Sequence, residues 1–306
     1  MPGAFAHITM VNCLSETARL KKLPSAAAKA VLKNFKFCEL GAVSPDYPYL
    51  VVGDHNAKNW ANSMHHERTG EMIHAGIEYL KGSTGSALNK GIAWLLGYAA
   101  HVTTDVTIHP VVEMKVGPYK GNEKKHRICE MNQDSYIYQR LDLGGIGVGE
   151  HLDTGIAACS VNGDREQLDP DIVLLWRSML QRVYPSQFAS SSPDIHLWHR
   201  QFVSMVDNIA EEGHRLIPIA RHVAVDCGLT YPERTDVDPE FIHNLEIPGG
   251  RSNYDAIFDR AIDNVTSVWE MVARGVFSGD QKYLAGIGHW NLDNGRNERD
   301  SLVFWS

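Results

Sequence analysis

The sequence predicts an all-α protein. Seven segments of the 306-residue chain carry apolar residues three or four positions apart with charged residues between them, which is the pattern of amphipathic helices. The apolar/polar alternation that marks a strand is almost absent, and no internal repeat or heptad run occurs. The predicted helices are Leu14–Phe35, Thr69–Lys81, Ser86–His109, Glu123–Leu141, Pro170–Val183, Ile195–Cys227 and Tyr254–Phe277.

The third predicted helix, Ser86–His109, differs from the others. Its stretch from Leu88 to Ala100 is apolar on nearly every face, which is typical of a helix buried at the centre of a domain. The later helices have recognisable start signals. Asp169 precedes Pro170 at the first helical turn, and Ser252-Asn253 precedes Tyr254, so both starts offer a polar N-cap.

A metal site is indicated at the end of this central helix. His101, Asp105 and His109 follow one another at a spacing of four residues. Four residues turn an α-helix by about 400°, so the three side chains lie within roughly 80° of one another on one face. A buried, unpaired carboxylate costs several kcal/mol, and these groups therefore need a partner. Imidazole and carboxylate ligands suit Zn²⁺, and Mn²⁺ or Fe²⁺ accepts the same ligand types.

A second pair at helical spacing supports this interpretation. His126 and Glu130 are also four residues apart, on the next predicted helix. Alone, such a pair is more typical of a solvated helix face, but its closeness in sequence to the first set favours a shared metal site. Upstream, His7, Asp46 and the neighbours His65 and His66 supply further donors of the same kind.

The order of these residues resembles the ligand series of a known family, the zinc-dependent phospholipases C, which are relatives of the S1/P1 nucleases. The resemblance covers residues 1 to about 140. It implies an all-α, multi-helix phospholipase C/P1 nuclease-like domain with a metal cluster among buried helices. The implied metal ligands are His7, Asp46, His65, His101, Asp105, His109, His126 and Glu130.

The resemblance also implies how the ligands are shared. Asp46, His65 and His101 would bind one Zn²⁺, and His109, His126 and Glu130 a second. His7 with Asp105 would bind a third, for which the N-terminal Trp of secreted bacterial members has no counterpart before Trp60. Asp105 would bridge two metals, and Asp46 would also act as the general base. His65 is preferred to His66 because the family places an aromatic residue directly after this ligand.

The function implied is metal-dependent hydrolysis of a phosphoester, with a small-molecule or lipid substrate. Two alternatives stay open. The same cluster could serve non-phosphate chemistry in a biosynthetic hydrolase or redox enzyme, because a fold does not fix a function. The metals could instead stabilise a helical interaction module, although eight donors exceed what one structural zinc requires. No rival catalytic motif was found: Gly70 stands where an HExxH motif needs its second histidine, and GxSxG is absent.

Composition limits the remaining choices. A net charge of −8 and a pI near 6.0 argue against an extended nucleic-acid surface. Five scattered cysteines without a CxxC motif indicate reduced thiols. We find no signal-peptide pattern and no segment of about 20 apolar residues, so we expect a cytoplasmic protein, with signal-independent secretion as the alternative. The oligomeric state does not follow from the sequence.

We expect a single α-helical domain over residues 1–306, with a metal-ligand core at 1–141 and a helical extension at 142–306. Two segments of the extension, Leu143–Asp169 and Thr230–Arg251, are rich in glycine or proline and long for connections. They are therefore candidates for a lid or a rim. The glycines between Gly144 and Gly149 follow a helix and miss the GxGxxG spacing, so we interpret them as a surface loop and not a dinucleotide site.

Overall fold

The all-α fold is confirmed. A computed structural model describes residues 3–141, 143, 146–209, 216 and 230–305, and most of these residues are helical. The helices are α1 (Ala4–Leu14), α2 (Thr17–Leu20), α3 (Ser25–Lys33), α4 (Phe35–Val43), α5 (His55–His66), α6 (Thr69–Lys81), α7 (Gly85–Val116), α8 (Glu123–Ile137), α9 (Val148–Leu152), α10 (Pro170–Val183), α11 (Pro185–Ser190), α12 (Ile195–Ile209), α13 (Tyr254–Ser278) and α14 (Lys282–Gly286).

The strands form three antiparallel two-stranded hairpins in the described part of the chain. They are β1 (Ser160–Val161) with β2 (Asp164–Leu168), β3 (Leu245–Ile247) with β4 (Gly250–Ser252), and β5 (Trp290–Asn291) with β6 (Arg296–Asn297). The 3₁₀ segments are Ser44–Leu50, Tyr138–Arg140, Arg234–Asp236 and Pro239–Phe241, and Asp153–Ala157 forms one π-helical turn.

Helix α7 is the centre of the protein, as its sequence predicts. Every residue from Gly91 to Val112 is buried, because other helices cover all its faces. It packs against α1, α3, α4, α6, α8, α10 and α13. The helix continues beyond the predicted end at His109 to Val116 and passes through Pro110. Proline has no N–H to donate, so this position interrupts the helical hydrogen-bond ladder without ending the helix.

Helices α4 and α7 approach each other at backbone distance. A Cβ added to Gly41 would lie 2.0 Å from the carbonyl oxygen of Trp94, and one added to Gly97 would lie 2.0 Å from that of Cys38. Gly41 of α4 therefore packs on the backbone of α7, and Gly97 of α7 packs on the backbone of α4. The contact places the end of α4 beside the ligand-bearing half of α7.

The N-terminal helix prediction was wrong. The predicted helix Leu14–Phe35 is divided into α2 and α3, and Pro24 lies directly before α3. Helices α1, α4 and α5 were not predicted. In α1, nine of the eleven residues are buried, so the helix has no polar face from which a period could be read.

Other boundaries differ less. Helices α6 and α10 have the predicted bounds, and α13 ends one residue later than predicted. Helix α8 ends at Ile137, before a 3₁₀ turn. In the predicted segment Ile195–Cys227, α12 extends to Ile209, and most of the remainder lies outside the described residues. The two predicted long loops contain short structure: α9, the π turn and β1–β2 in one, and 3₁₀ turns and β3–β4 in the other.

One of the two predicted helix caps is made as expected. Asp169 accepts a hydrogen bond from the N–H of Asp171 at 3.0 Å and caps α10. Asn253 precedes α13 but makes no side-chain cap; its Oδ1 accepts from the N–H of Asn244 instead. Helix α5 begins at an unpredicted cap, Asp54, which accepts from the N–H groups of Asn56 and Ala57.

Two expectations about the whole chain concern its thiols and membrane spans. Cys13, Cys38, Cys129 and Cys159, the cysteines for which the structure gives a state, are free thiols. Among the described helices, none is both long enough and apolar enough to cross a membrane.

The α4–α7 contact gives a first prediction. Gly97→Ala places a methyl group against the Cys38 carbonyl, and because both partners are helix backbone, neither can move cheaply. We expect the free energy of unfolding to fall by about 3 kcal/mol or more. The control is Gly82→Ala, where the nearest atom to an added Cβ is 3.6 Å away. Urea unfolding measures both variants, and equal stability would contradict the close contact.

Candidate metal centre

The eight predicted ligands are all buried, with exposed fractions of 0 to 4%. They come from five elements that meet around the second half of α7. This helix supplies His101, Asp105 and His109, and α8 supplies His126 and Glu130. The remaining three are His7 from α1, Asp46 from the 3₁₀ segment Ser44–Leu50, and His65 from α5. Residues far apart in sequence are thus brought to one side of a buried helix.

Asp105 lies between two histidines. Its Oδ1 is 3.2 Å from Nε2 of His7, and its Oδ2 is 3.4 Å from Nε2 of His101. The two imidazole rings are stacked, with centroids 3.9 Å apart. One ligand atom from each of these three residues lies within 4.8 Å of the others, so the three could hold one ion.

A second group shares His101. Asp46 Oδ1 lies 3.2 Å from Nε2 of His65, and one atom each from Asp46, His65 and His101 lies within 4.8 Å of the others. His101 therefore stands between the two groups. Together they form one continuous cluster of two carboxylates and three imidazoles.

The remaining predicted set, His109, His126 and Glu130, has longer distances between its ligand atoms. Oε1 of Glu130 lies 3.7 Å from Nε2 of His109 and 3.6 Å from Nδ1 of His126. The carboxylate is therefore directed at both imidazoles, and each inner nitrogen is too far for a direct hydrogen bond. Within the described residues, the groups whose ligand atoms all lie within 4.8 Å of one another are the two above, and this set is not among them.

Backbone carbonyls orient four of the imidazoles by accepting a hydrogen bond from the ring nitrogen that faces away from the cluster. Nδ1 of His65 donates to the Ala61 carbonyl at 2.6 Å, and Nδ1 of His101 donates to that of Ala42 at 2.8 Å. A carbonyl oxygen only accepts, so the bonded nitrogen carries a proton, and in the neutral imidazole the other nitrogen is an acceptor. In the same way, His126 Nε2 donates to Gly117 at 2.6 Å and His109 Nδ1 donates to Leu292. This is the arrangement that orients histidines for metal binding.

The inner atoms of the cluster fit a cation. Within the described residues, both oxygens of Asp105, Oδ1 of Asp46, and the inner nitrogens of His7, His101, His109 and His126 make no hydrogen bond. Buried polar atoms are normally satisfied, and acceptors concentrated without donors are the groups that a divalent cation binds. The donor set of nitrogen and carboxylate oxygen suits zinc.

Electrostatics keep the carboxylates ionised. Burial alone raises the pKa of Asp105, but the neighbouring imidazoles of His101 and His7 outweigh burial and hold that pKa well below its usual range. Asp46 is similar: burial raises its pKa, and His65 with His101 brings it below its usual value. Burial and the charge of His101 lower the pKa of His7 to about 4, which leaves this imidazole neutral and able to bind a metal.

Asp134 supports the cluster and was missed by sequence analysis. It follows Glu130 by four residues on α8 and is fully buried. Its Oδ1 accepts from the N–H of Ala6 at 3.0 Å, and its Oδ2 accepts from the hydroxyl of Tyr231 at 2.9 Å. Burial raises the pKa of Asp134 to about 7, although both hydrogen bonds favour the ionised form. The side chain ties the start of α1, and so His7, to α8; the spacing of four residues was the available signal.

The neighbours His65 and His66 have different surroundings. His65 is fully buried and faces Asp46. The side chain of His66 is 34% exposed, and its Nε2 lies 2.8 Å from Oδ2 of Asp293. The geometry therefore brings His65 into the cluster and leaves His66 outside it.

A cleft of about 520 Å³ opens beside the cluster. Its wall includes Tyr49, whose ring centroid is 5.7 Å from that of His65, and Tyr119, whose centroid is 5.2 Å from that of His126. Sequence analysis did not predict either tyrosine, because a lone aromatic residue carries no spacing signal. The described residues of the two predicted lid loops do not line this cleft. The lining residues are Pro48, Tyr49, Val51, Val52, Gly53, Asp54, His55, Lys58, Asn62, His66, Tyr119, Glu123 and Asp293.

Comparison with known proteins gives one finding. A protein-family model described as zinc dependent phospholipase C matches residues 6–186. The match covers more than half of the 306 residues, contains all eight predicted ligands, and extends beyond the resemblance that the motifs carry. No curated protein and no solved structure matches the chain at a significant level.

Substitution of the two adjacent histidines gives a second prediction. His65→Ala removes a predicted zinc ligand whose ring is oriented by a hydrogen bond to the Ala61 carbonyl, and it should weaken zinc binding by more than about 100-fold. His66→Ala removes only a partly exposed pair with Asp293 and should change zinc affinity by less than about fivefold. Chelator-competition titration of each purified variant measures the effect. The opposite ranking would mean that the ligand is His66.

Proposed function

The chain belongs to the zinc-dependent phospholipase C family, and on that premise we propose that it hydrolyses a phosphodiester at two zinc ions held by the buried cluster. Membership supports a metal-dependent phosphoester hydrolase. The observation that carries the finer proposal is the Asp105 carboxylate, whose two oxygens face two different histidines and make no hydrogen bond within the described residues.

In this proposal the eight side chains bind as three sets. Asp46, His65 and His101 hold one zinc. His109, His126 and Glu130 hold the second. His7 and Asp105 would hold a third ion more weakly, and the two Asp105 oxygens, which face His7 and His101, would be available to more than one ion.

The chain's own residues accept a proton and orient the histidine ligands in this proposal. Bound zinc supplies Lewis-acid chemistry, polarising a phosphoryl oxygen and acidifying water. Asp46 is ionised in its surroundings and accepts the proton of the attacking water in our proposal, although a carboxylate with a lowered pKa is a weak base. The carbonyls of Ala42 and Ala61 keep the protons of His101 and His65 away from the cluster.

The cleft suggests where the rest of the substrate binds. Pro48, Tyr49, Val51 and Tyr119 give it an extensively apolar wall. The charged side chains that line it are Lys58 and the carboxylates of Asp54, Glu123 and Asp293. A cleft of this size suits a small molecule or the polar end of a lipid. We therefore propose a phosphoester whose alcohol has an apolar portion, with the phosphate directed at the cluster and the alcohol at the tyrosines.

Removal of the bridge gives a third prediction. Asp105→Asn keeps the size of the side chain but replaces one acceptor oxygen with a donor NH₂ group, which cannot bind zinc. We expect at least a 100-fold loss of phosphodiester turnover together with loss of at least one zinc per chain. Elemental analysis and kinetics on the same sample measure both quantities.

The control for this variant is Asp238→Asn, the same chemical change at a carboxylate that caps the 3₁₀ segment Pro239–Phe241 through the N–H of Glu240. It should keep both zinc and activity. An Asp105→Asn variant with unchanged zinc content would show that Asp105 is not a metal ligand.

Metal content and substrate class give a fourth prediction. Protein purified without chelator should contain two tightly bound zinc ions per chain, and chelation should abolish hydrolysis of bis(p-nitrophenyl) phosphate and of phosphatidylcholine in micelles, with recovery on adding zinc. An ester without phosphorus, p-nitrophenyl acetate, is the control substrate. Less than about one metal per chain would contradict the metal centre. Two zinc ions without turnover of any phosphodiester would favour a structural role or non-phosphate chemistry.

A further inference from the structure

One residue outside the family match touches two of the cluster-bearing helices. Leu292 lies between β5 and β6 and is fully buried. Its N–H donates to the carbonyl of His65 at 3.0 Å, and its carbonyl accepts from Nδ1 of His109. A single backbone unit therefore joins α5 to α7 at two predicted ligands.

The segment around Leu292 is held firmly at three points. Thr69 Oγ1 donates to the carbonyl of Trp290 at 2.8 Å and accepts from its N–H at 2.9 Å. After the hairpin, Nε1 of Trp305 donates to the carbonyl of Thr107 at 2.8 Å. The third point is Gly295, which packs directly on α7.

Gly295 lies where Pro110 interrupts α7. Pro110 lacks an N–H, so the Val106 carbonyl has no helical donor four residues later. A Cβ added to Gly295 would lie 2.5 Å from this carbonyl oxygen and 2.5 Å from Cγ of Pro110. The φ angle of Gly295 is +67°, which also favours glycine. The hairpin therefore fits the interruption in α7 only because residue 295 has no side chain.

We propose that the hairpin Trp290–Asn297 is a positioning element of the metal centre, in which the Leu292 carbonyl orients His109 for zinc. This inference rests on the proposed metal role of His109. A carbonyl that accepts from the outer nitrogen fixes the tautomer and the ring orientation of a histidine, and loss of such a partner commonly weakens metal binding 10- to 100-fold. The other supported imidazoles obtain their carbonyls from within residues 6–186, whereas His109 depends on residue 292.

The test displaces the hairpin without touching a ligand. Gly295→Ala introduces a methyl group at the Pro110 contact. Gly249→Ala is the matched control, because Gly249 also has a positive φ, of +89°, in a hairpin turn but has no atom within 4 Å of an added Cβ. Both substitutions place a side chain at a positive φ, and the close contact with α7 is present at Gly295 and absent at Gly249.

The readout is zinc affinity by chelator competition, together with the visible spectrum of the Co²⁺-substituted protein. We expect Gly295→Ala to weaken one class of zinc site 10- to 100-fold and to alter the Co²⁺ bands, while Gly249→Ala leaves both unchanged. His109→Ala should remove the same class of site. In the His109→Ala background, Gly295→Ala should have no further effect on zinc affinity, because the group that it positions is gone.

A second variant covers a failure of Gly295→Ala to fold. Thr69→Val keeps the shape of the side chain but removes both hydrogen bonds to Trp290, and it should weaken the same site. The proposal is overturned if either variant binds zinc like Gly249→Ala, or if the effect persists in the His109→Ala background. Zinc is measured without substrate, so a protein that binds zinc as expected but hydrolyses no phosphodiester refutes the proposed function and leaves the role of the hairpin standing.

Discussion

The structure depends on burying acceptor groups around Asp105. Two carboxylates and three imidazoles meet there. Both oxygens of Asp105 and Oδ1 of Asp46 make no hydrogen bond within the described residues, and each buried acceptor without a partner costs free energy. Such a cluster is stable when a cation replaces the missing donors. The buried face of α7 therefore suits the zinc on which the family depends, and the surrounding helices bring further predicted ligands to that face.

Backbone carbonyls orient most of the predicted histidine ligands. His65, His101, His109 and His126 each donate a proton to a carbonyl, and each inner nitrogen is left to accept. These carbonyls belong to different elements, so the geometry of the cluster depends on how closely the elements pack. The Ala42 carbonyl reaches His101 only because Gly41 and Gly97 allow α4 and α7 to approach at backbone distance. A substitution that separates α4 from α7 would therefore move the Ala42 carbonyl away from His101 and change the geometry of the cluster.

Sequence analysis predicted the central helix and the candidate ligands but not the parts that hold them. Regular spacing made His101, Asp105 and His109 visible, and a polar face made α6 and α10 visible with their observed bounds. The same reasoning failed at α1, where almost every residue is buried and no period can be read. The contribution of Leu292 could not be predicted either, because a backbone carbonyl leaves no mark on the residue type. The partner of His109 is set by a tertiary contact between residues far apart in the chain, and local sequence patterns do not show such contacts.

In the proposed function, binding of the metal and choice of the substrate belong to different parts of the molecule. The cluster residues are at most 4% exposed and are fixed by helices, whereas the cleft beside them is lined by a turn at Val51–Asp54, by the loop residue Tyr119 and by Asp293. In our proposal, substitutions in the cleft wall change which alcohol is accepted. Among the described lining residues, Tyr49, His66 and Tyr119 have rings that contact the imidazoles of predicted ligands. Substitutions in the cluster leave a buried charge without a counter-charge and so affect stability and metal binding together. These three residues are therefore the positions at which, in our proposal, the shape of the substrate and the geometry of the metal centre are physically coupled.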